Sequence, residues 1–365
     1  MATKYENQYD PETVSIPGTT LAEALEERHM TQAELSERMG RPKKTISEIL
    51  NGKAAITPET ALQLERVLGV PASFWNNRQR MYDESVARMR EAESLEKYVS
   101  WLDSFPCVGD MVKEGWLPPR KKPVLVLDAL LAFFGVNSPE EWESIWSKPK
   151  LRAALRDSKS YKTDSFALAA YLRKAEIEAF KIECAPFEKT VFRATLEEIK
   201  TLTTDEPDTW EKKIESRCAT VGVAVVFVPL VKGVHVSGAV RWMTQNRALM
   251  ALSLRGKKED IFWFSFFHEA GHLLLHDKKE VFIESKDKKS AEEKEADDFA
   301  CNFLIRDAEW KAFLRANPTP THGAIMRFAH QKKISPAIVL GRLQHEDIVP
   351  QASLLNAMKR SISIA

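Results

Sequence analysis

The 365-residue chain has no CxxC pair, no apolar leader and no strong excess of charge of either sign. Its four cysteines, Cys107, Cys184, Cys218 and Cys301, are scattered, the usage expected of reduced, mostly buried thiols in a cytoplasm. The opening Met1 to Pro17 is polar and acidic, so no export signal is expected. No run approaches the length of a membrane span, and the longest apolar stretch, Val221 to Val231, is strand-sized in character, so no membrane partner is expected. With 53 Lys and Arg against 52 Asp and Glu, the net charge is +1 and exerts no global pull toward nucleic acid. What remains, 44% hydrophobic and 29% charged, is an ordinary globular composition, and the length predicts two or three domains.

Positive charge is instead local. From Arg38 to Lys53, five basic residues stand against Glu48 alone, a net +4. This segment lies among short helices with clear punctuation. Thr20 with Glu23 and Thr31 with Glu34 have capping-box spacing, Pro42 suits the first turn of a helix ended by Asn51-Gly52, and Thr57-Pro58 opens another that Gly69 closes. Helices of eight to twelve residues need a shared core, here predicted from Leu21, Leu25, Leu35, Ile46, Ile49, Leu50, Leu62 and Leu64. The pair Thr31–Met39 and Pro42–Leu50, joined at Gly40, reads as a helix-turn-helix whose second helix enters the major groove. Arg41, Lys43, Lys44, Thr45 and Ser47 are the candidate DNA contacts. A small helical bundle with a solvated basic rim is the plainer reading. The patterns TQAELSERMG and TISEILNGK decide between them, because this stretch resembles the XRE-type helix-turn-helix, in particular the HigA-like antitoxins. That resemblance implies operator DNA as a partner and a homodimer matching a palindromic site, with the helical stretch Ala72 to Ala92 a candidate dimer element.

The strongest chemical signal is His268-Glu269-Ala270-Gly271-His272, inside an apolar run from Ile261 to Leu275 that reads as a buried helix. Residues four apart share a helix face, so His268 and His272 can each offer an imidazole nitrogen to one zinc ion. Glu269 then stands where a general base is needed. A histidine pair on an apolar face is more often a satisfied core pair, so a third ligand is required, and Ser290 to Ile305 supplies Glu292, Glu293 and Glu295 as candidates. On a wheel of about 100° per residue, Ala296, Asp297, Ala300, Phe303 and Leu304 fall within about 80° of Glu293, whereas Glu295, Asp298 and Asn302 lie opposite. Glu293 is therefore the expected third ligand. Asp297, also read as facing the core, is the expected orienter of a ligand histidine. Cys301, about 80° round from Glu293, is read as core.

Between these units, Glu93 to Arg217 reads as helices punctuated by prolines, including Val124–Phe134, Ser165–Phe180 and Val191–Thr201. Trp101, Phe133, Phe134, Trp142 and Trp146 are expected core residues. Strands are expected at Val221–Val228, His235–Trp242 and Ala248–Leu254. The predicted architecture is mainly α with a small α+β part: a helix-turn-helix bundle over residues 1–95, a helical middle region over 96–217, and a zincin-like domain over 218–365.

The segments HVSGAVRWM, ALSLRGKKEDIFWFSFFHEAGHLLLH, EKEADDFA and FAHQKKISPAIVLGRL resemble the ImmA/IrrE zinc metallopeptidases from Val221 to Leu343. The resemblance implies Zn2+ as cofactor and cleavage of a specific repressor or antitoxin, in a toxin–antitoxin-like or prophage-type circuit. It also supports His268, His272 and Glu293 as ligands and Glu269 as base. An edge strand near His235–Trp242 is expected to pair with the substrate, and His235 and Arg241 are candidate oxyanion stabilisers. One departure is Leu304-Ile305-Arg306, where members of that family commonly place a proline third. The competing reading is a HigA-like antitoxin or repressor whose zincin half is a sensor or docking module without turnover. An intact Glu269 favours the enzyme.

Overall fold

The computed structural model describes residues 15–146, 164–253, 258–276, 281–283 and 291–362. The chain divides into two compact units, Met1–Lys97 and Tyr98–Ala365.

The first unit holds α1 (Pro17–Glu27), α2 (Gln32–Met39), α3 (Lys43–Leu50), α4 (Pro58–Leu68) and α5 (Ala72–Leu95). Thr31 caps α2 in a complete capping box with Glu34, and Thr57 caps α4, which Gly69 closes in the left-handed conformation. Thr20, by contrast, lies inside α1, whose cap position is Ile16, so it makes no capping box with Glu23. Proline at the first helical position sets that start four residues earlier than the Thr-Glu spacing predicts. Leu21, Leu25, Leu35, Ile46, Ile49 and Leu64 are buried around Trp75, with Leu50 packed at the margin. Leu62 is 54% exposed and does not belong to that core, because Ala61, Leu64 and Leu68 already fill the buried face of α4.

The second unit begins with α6 (Val108–Lys113), α7 (Pro123–Phe134), α8 (Pro139–Trp146), α9 (Ser165–Phe180), α10 (Lys189–Thr201) and α11 (Trp210–Ala219). It continues through β1 (Val223–Phe227), β2 (Gly238–Thr244), β3 (Arg247–Leu252), α12 (Glu259–Leu275), β4 (Val281–Ile283), α13 (Ala291–Leu304), α14 (Asp307–Ala316), α15 (His322–Lys332) and α16 (Pro336–His345). The strand order is β1-β3-β2-β4, with β1 parallel to β3 and both other pairings antiparallel. β2 is thus a central strand paired on both sides. The expectation of an edge at His235–Trp242 is corrected, since Ala239, Val240 and Arg241 pair with Ile283, Phe282 and Val281 of β4.

Strand alternation separates two hydrophobic cores. Val223, Val225, Ala248, Met250 and Leu252 join one core, and Ala224, Val226, Leu249 and Ala251 the other. The first core contains residues of α10 to α16, and the second contains residues of α6 to α9. Helices from residues 96–217 therefore share cores with the C-terminal strands on both faces of the sheet. Trp142, Trp146, Phe133 and Phe134 are buried as expected, with Trp101 packed against them.

By length and composition alone, the 24-residue span Pro123–Trp146 contains a window apolar enough to cross a membrane, against the expectation that no run approaches that length. It comprises α7 and α8, broken at Gly135 in the left-handed conformation, with Leu130, Phe133, Phe134, Trp142 and Trp146 in the core. Such burial is what a core helix pair of a folded unit shows.

Candidate metal centre and helix-turn-helix

Helix α12 is apolar almost all the way round, and it is correspondingly buried from Phe262 to Leu274, apart from partly exposed Phe264. His268 and His272 are 2% and 1% exposed and direct their Nε2 atoms at one point, 3.0 Å apart. Helix α13 crosses close by, because Gly271 has no side chain to hold it off: a Cβ there would lie 3.1 Å from the Phe299 ring and 3.2 Å from the Ala296 Cα. This approach brings Glu293, 7% exposed, to both imidazoles, with Oε2 3.3 Å from His268 Nε2 and Oε1 3.5 Å from His272 Nε2.

These separations allow a test of fit. A tetrahedral zinc centre with bonds of about 2.0–2.1 Å has ligand–ligand edges of about 3.3–3.4 Å. The Nε2–Nε2 separation of 3.0 Å is close to that length, and the Glu293 carboxylate reaches both rings, with one oxygen 3.3 Å from His268 Nε2 and the other 3.5 Å from His272 Nε2. Two imidazoles and a carboxylate, all buried, are also a donor set suited to zinc. Burial first, then the neighbouring His268 and His276 rings, pushes the His272 pKa down to about 2, so its ring is neutral at physiological pH and a lone pair is available.

The surrounding groups orient this set. Asp297 Oδ1 lies 2.8 Å from His268 Nδ1. Its carboxyl is nevertheless 55% exposed, which corrects the reading that it faces the core: it sits at the border of the buried stripe and reaches inward with one oxygen. Glu292 and Glu295 are exposed, as expected of the outer side of α13. Cys301 is intermediate in exposure, a margin rather than a core position, and burial raises its thiol pKa. Two contributors escaped the sequence reading. His276 follows His272 by one turn, and Gly238 opens β2 directly against Glu269.

Glu269 is fully buried. The candidate oxyanion stabilisers are not placed with it. Arg241 stands on β2 one residue from Val240 and so points to the opposite face of the sheet, where it pairs with Glu176 of α9. His235 is exposed in the segment before β2. At the end of α13, Arg306 has φ −60°, the value a proline would impose, and Arg342 donates to the Ile305 carbonyl at 2.9 Å.

In the first unit, α2 and α3 are joined through Gly40 in the left-handed conformation, and Ser36 Oγ donates to the Arg41 carbonyl at 2.6 Å. Lys43 and Lys44 are exposed at the start of α3, while Thr45 and Ser47 are half-buried. Ser47 accepts from the Asn51 amide through its carbonyl at 2.7 Å. The Arg41 guanidinium donates to the Gln63 side-chain oxygen of α4, and the Lys43 carbonyl accepts from the Gln32 side chain of α2 at 3.1 Å.

Comparison with known proteins agrees with both units. Residues 21–75 match the helix-turn-helix family model and residues 218–344 match the IrrE N-terminal-like domain. An uncharacterised HTH-type transcriptional regulator of Escherichia coli K12, YddM, is 36% identical over 66 residues, 18% of this chain and 70% of that protein. Among solved structures, an addiction-module antidote protein of the HigA family from Coxiella burnetii is 34% identical, covering 23% of this chain and 92% of its own, with a TM-score of 0.22. Pseudomonas aeruginosa antitoxin HigA with the higBA promoter is 26% identical over 23% of this chain and 94% of its own, also with a TM-score of 0.22. The chain belongs to the helix-turn-helix regulators through its first unit and carries an IrrE N-terminal-like domain in its second.

Proposed function

We propose that this protein is a cytoplasmic DNA-binding regulator whose second unit is a zinc-dependent endopeptidase acting on one partner, a repressor or antitoxin. The observation that carries this reading is the buried His268, His272 and Glu293 triad, whose ligand atoms lie within 4.8 Å of one another, with the Glu269 carboxylate on the adjoining residue. His268 Nε2, His272 Nε2 and a Glu293 oxygen would hold the ion. Zinc, when bound, supplies Lewis-acid activation of water and polarisation of the peptide carbonyl.

The protein's own groups do the rest. Glu269 accepts a proton from the attacking water and returns it to the departing amide nitrogen, general acid–base work for which a water-excluded carboxylate is suited. Asp297 fixes the His268 ring so that Nε2 faces inward. An extended substrate segment adds to the outer side of β4, one of the two sheet edges among the described residues and the one next to β2, where main-chain hydrogen bonds hold it in register. In the first unit, α3 enters the major groove, with Lys43 and Lys44 at phosphates and Arg41, Thr45 and Ser47 as further contacts, and a homodimer matches two half-sites.

Incubating the zinc-loaded protein with the product of the adjacent reading frame, and reading fragments by mass spectrometry, tests this reading. One defined cut supports it, and an intact partner contradicts it.

A further inference from the structure

Both inward-facing histidines need their outer ring nitrogens held, and the two are held differently. His268 Nδ1 meets a carboxylate, Asp297, directly. His272 Nδ1 instead meets a second imidazole, His276 Nδ1, at 2.9 Å, and His276 Nε2 lies 3.3 Å from Glu295 Oε2. The His276 side chain is 6% exposed, whereas Glu295 is 62% exposed.

Two ring nitrogens at hydrogen-bond distance require one donor and one acceptor. For His272 to present the Nε2 lone pair toward His268 and Glu293, its proton must sit on Nδ1, which then donates to His276 Nδ1. A neutral His276 accepting at Nδ1 carries its own proton on Nε2 and donates it to Glu295. The three residues thus form a directional chain in which a solvent-facing carboxylate sets the tautomer of a buried ligand through an intervening ring. No other assignment of neutral rings leaves the His272 Nε2 lone pair facing inward while keeping that contact.

We infer that His276 is a positioning residue that fixes the tautomer and orientation of His272, with Glu295 as its outer anchor. This rests on the metal-site reading above. The geometry explains why the helix carries a third histidine one turn after His272, where the chain leaves α12: the His276 backbone N–H still donates to the His272 carbonyl, at 3.2 Å, which keeps the two rings one above the other.

The test compares His276→Leu, which removes the acceptor, with His276→Asn, whose side-chain oxygen can replace Nδ1 as acceptor. Zinc affinity is measured by competition with a chelator of known affinity, and the Co2+-substituted proteins are compared by visible absorption. Orienting partners of metal-bound histidines typically contribute about 10–100-fold to affinity. His276→Leu should weaken zinc binding by that factor and alter the cobalt bands, and His276→Asn should recover most of both. Thermal unfolding of the metal-free proteins controls for folding, since a merely structural role would lower stability in both variants alike. Zinc affinity in His276→Leu within twofold of wild type, or equal loss in the two variants, overturns the inference. Absence of zinc binding by the wild-type protein overturns the metal-site reading itself, so the two failures are distinguishable.

Discussion

Gly238, the first residue of β2, lies so close to Glu269 that a Cβ at that position would stand 2.5 Å from Oε1 and 2.7 Å from Cγ. Real Cβ atoms do not approach that closely, so the missing side chain creates the space the carboxylate occupies. β2 is fixed from both sides by β3 and β4, and α12 is buried, leaving little freedom to relieve a clash by moving either element.

Gly238→Ala should therefore displace the Glu269 carboxylate while leaving the three metal ligands in place. Zinc content, read by elemental analysis, should stay near one ion per protomer, and cleavage should fall at least ~10-fold, a part of the 10²–10⁴ that general bases typically contribute. Unchanged cleavage would mean that Glu269 does not act from this position.

Metal retention should discriminate among the carboxylates of α13. Glu293→Ala should lose the ion, and Glu295→Ala should keep it at saturating zinc, because only Glu293 is buried against both imidazoles. Asp297→Ala should weaken zinc binding by about 10–100-fold without changing stoichiometry. Loss of stoichiometric metal in Glu295→Ala with retention in Glu293→Ala would reverse the ligand assignment.

The folding of the second unit should depend on a contact remote in sequence from the motif. Glu259, at the start of α12 and fully buried, is held by Arg360 through Oε2 at 2.6 and 2.9 Å and accepts the Arg360 backbone N–H at 2.9 Å. Arg360 also donates to the Thr203 and Asp205 carbonyls. Arg360→Ala leaves a buried carboxylate without its cation, and a destabilisation of about 3 kcal/mol is expected in urea unfolding. A change below ~1 kcal/mol would show that solvent replaces the arginine.

DNA affinity should respond to single charges. Lys43 and Lys44 are exposed at the start of α3, so replacing either with Ala should weaken operator and nonspecific DNA together and lower the salt slope by about one unit. Binding measured across a series of salt concentrations checks this, and an unchanged slope places the residue off the interface.

The sequence made the helical elements of the site legible because periodicity carries them: the four-residue spacing of His268 and His272, and the wheel that separated Glu293 from Glu295. It was less informative where a partner lies elsewhere in the fold. Nothing local to HVSGAVRWM announces that Gly238 faces Glu269, and the short β4 that converts β2 into a central strand carries too few residues for an alternation pattern. Asp297 shows the limit of the wheel itself, since 40° from a buried neighbour is already the border with solvent. His276 had a visible signal, one further turn of the same helix face, but its role depends on the Glu295 side chain reaching back across α13.

The most direct test of catalysis is Glu269→Gln, which preserves the imidazoles and nearly the same volume but cannot accept a proton from the attacking water. Zinc content and operator binding should match wild type, while the rate of the single defined cut in the cognate repressor or antitoxin falls by a factor on the order of 10² or more. If wild-type and Glu269→Gln proteins both leave that partner intact under zinc-replete conditions, with and without operator DNA, the second unit is a sensor or docking module rather than a peptidase.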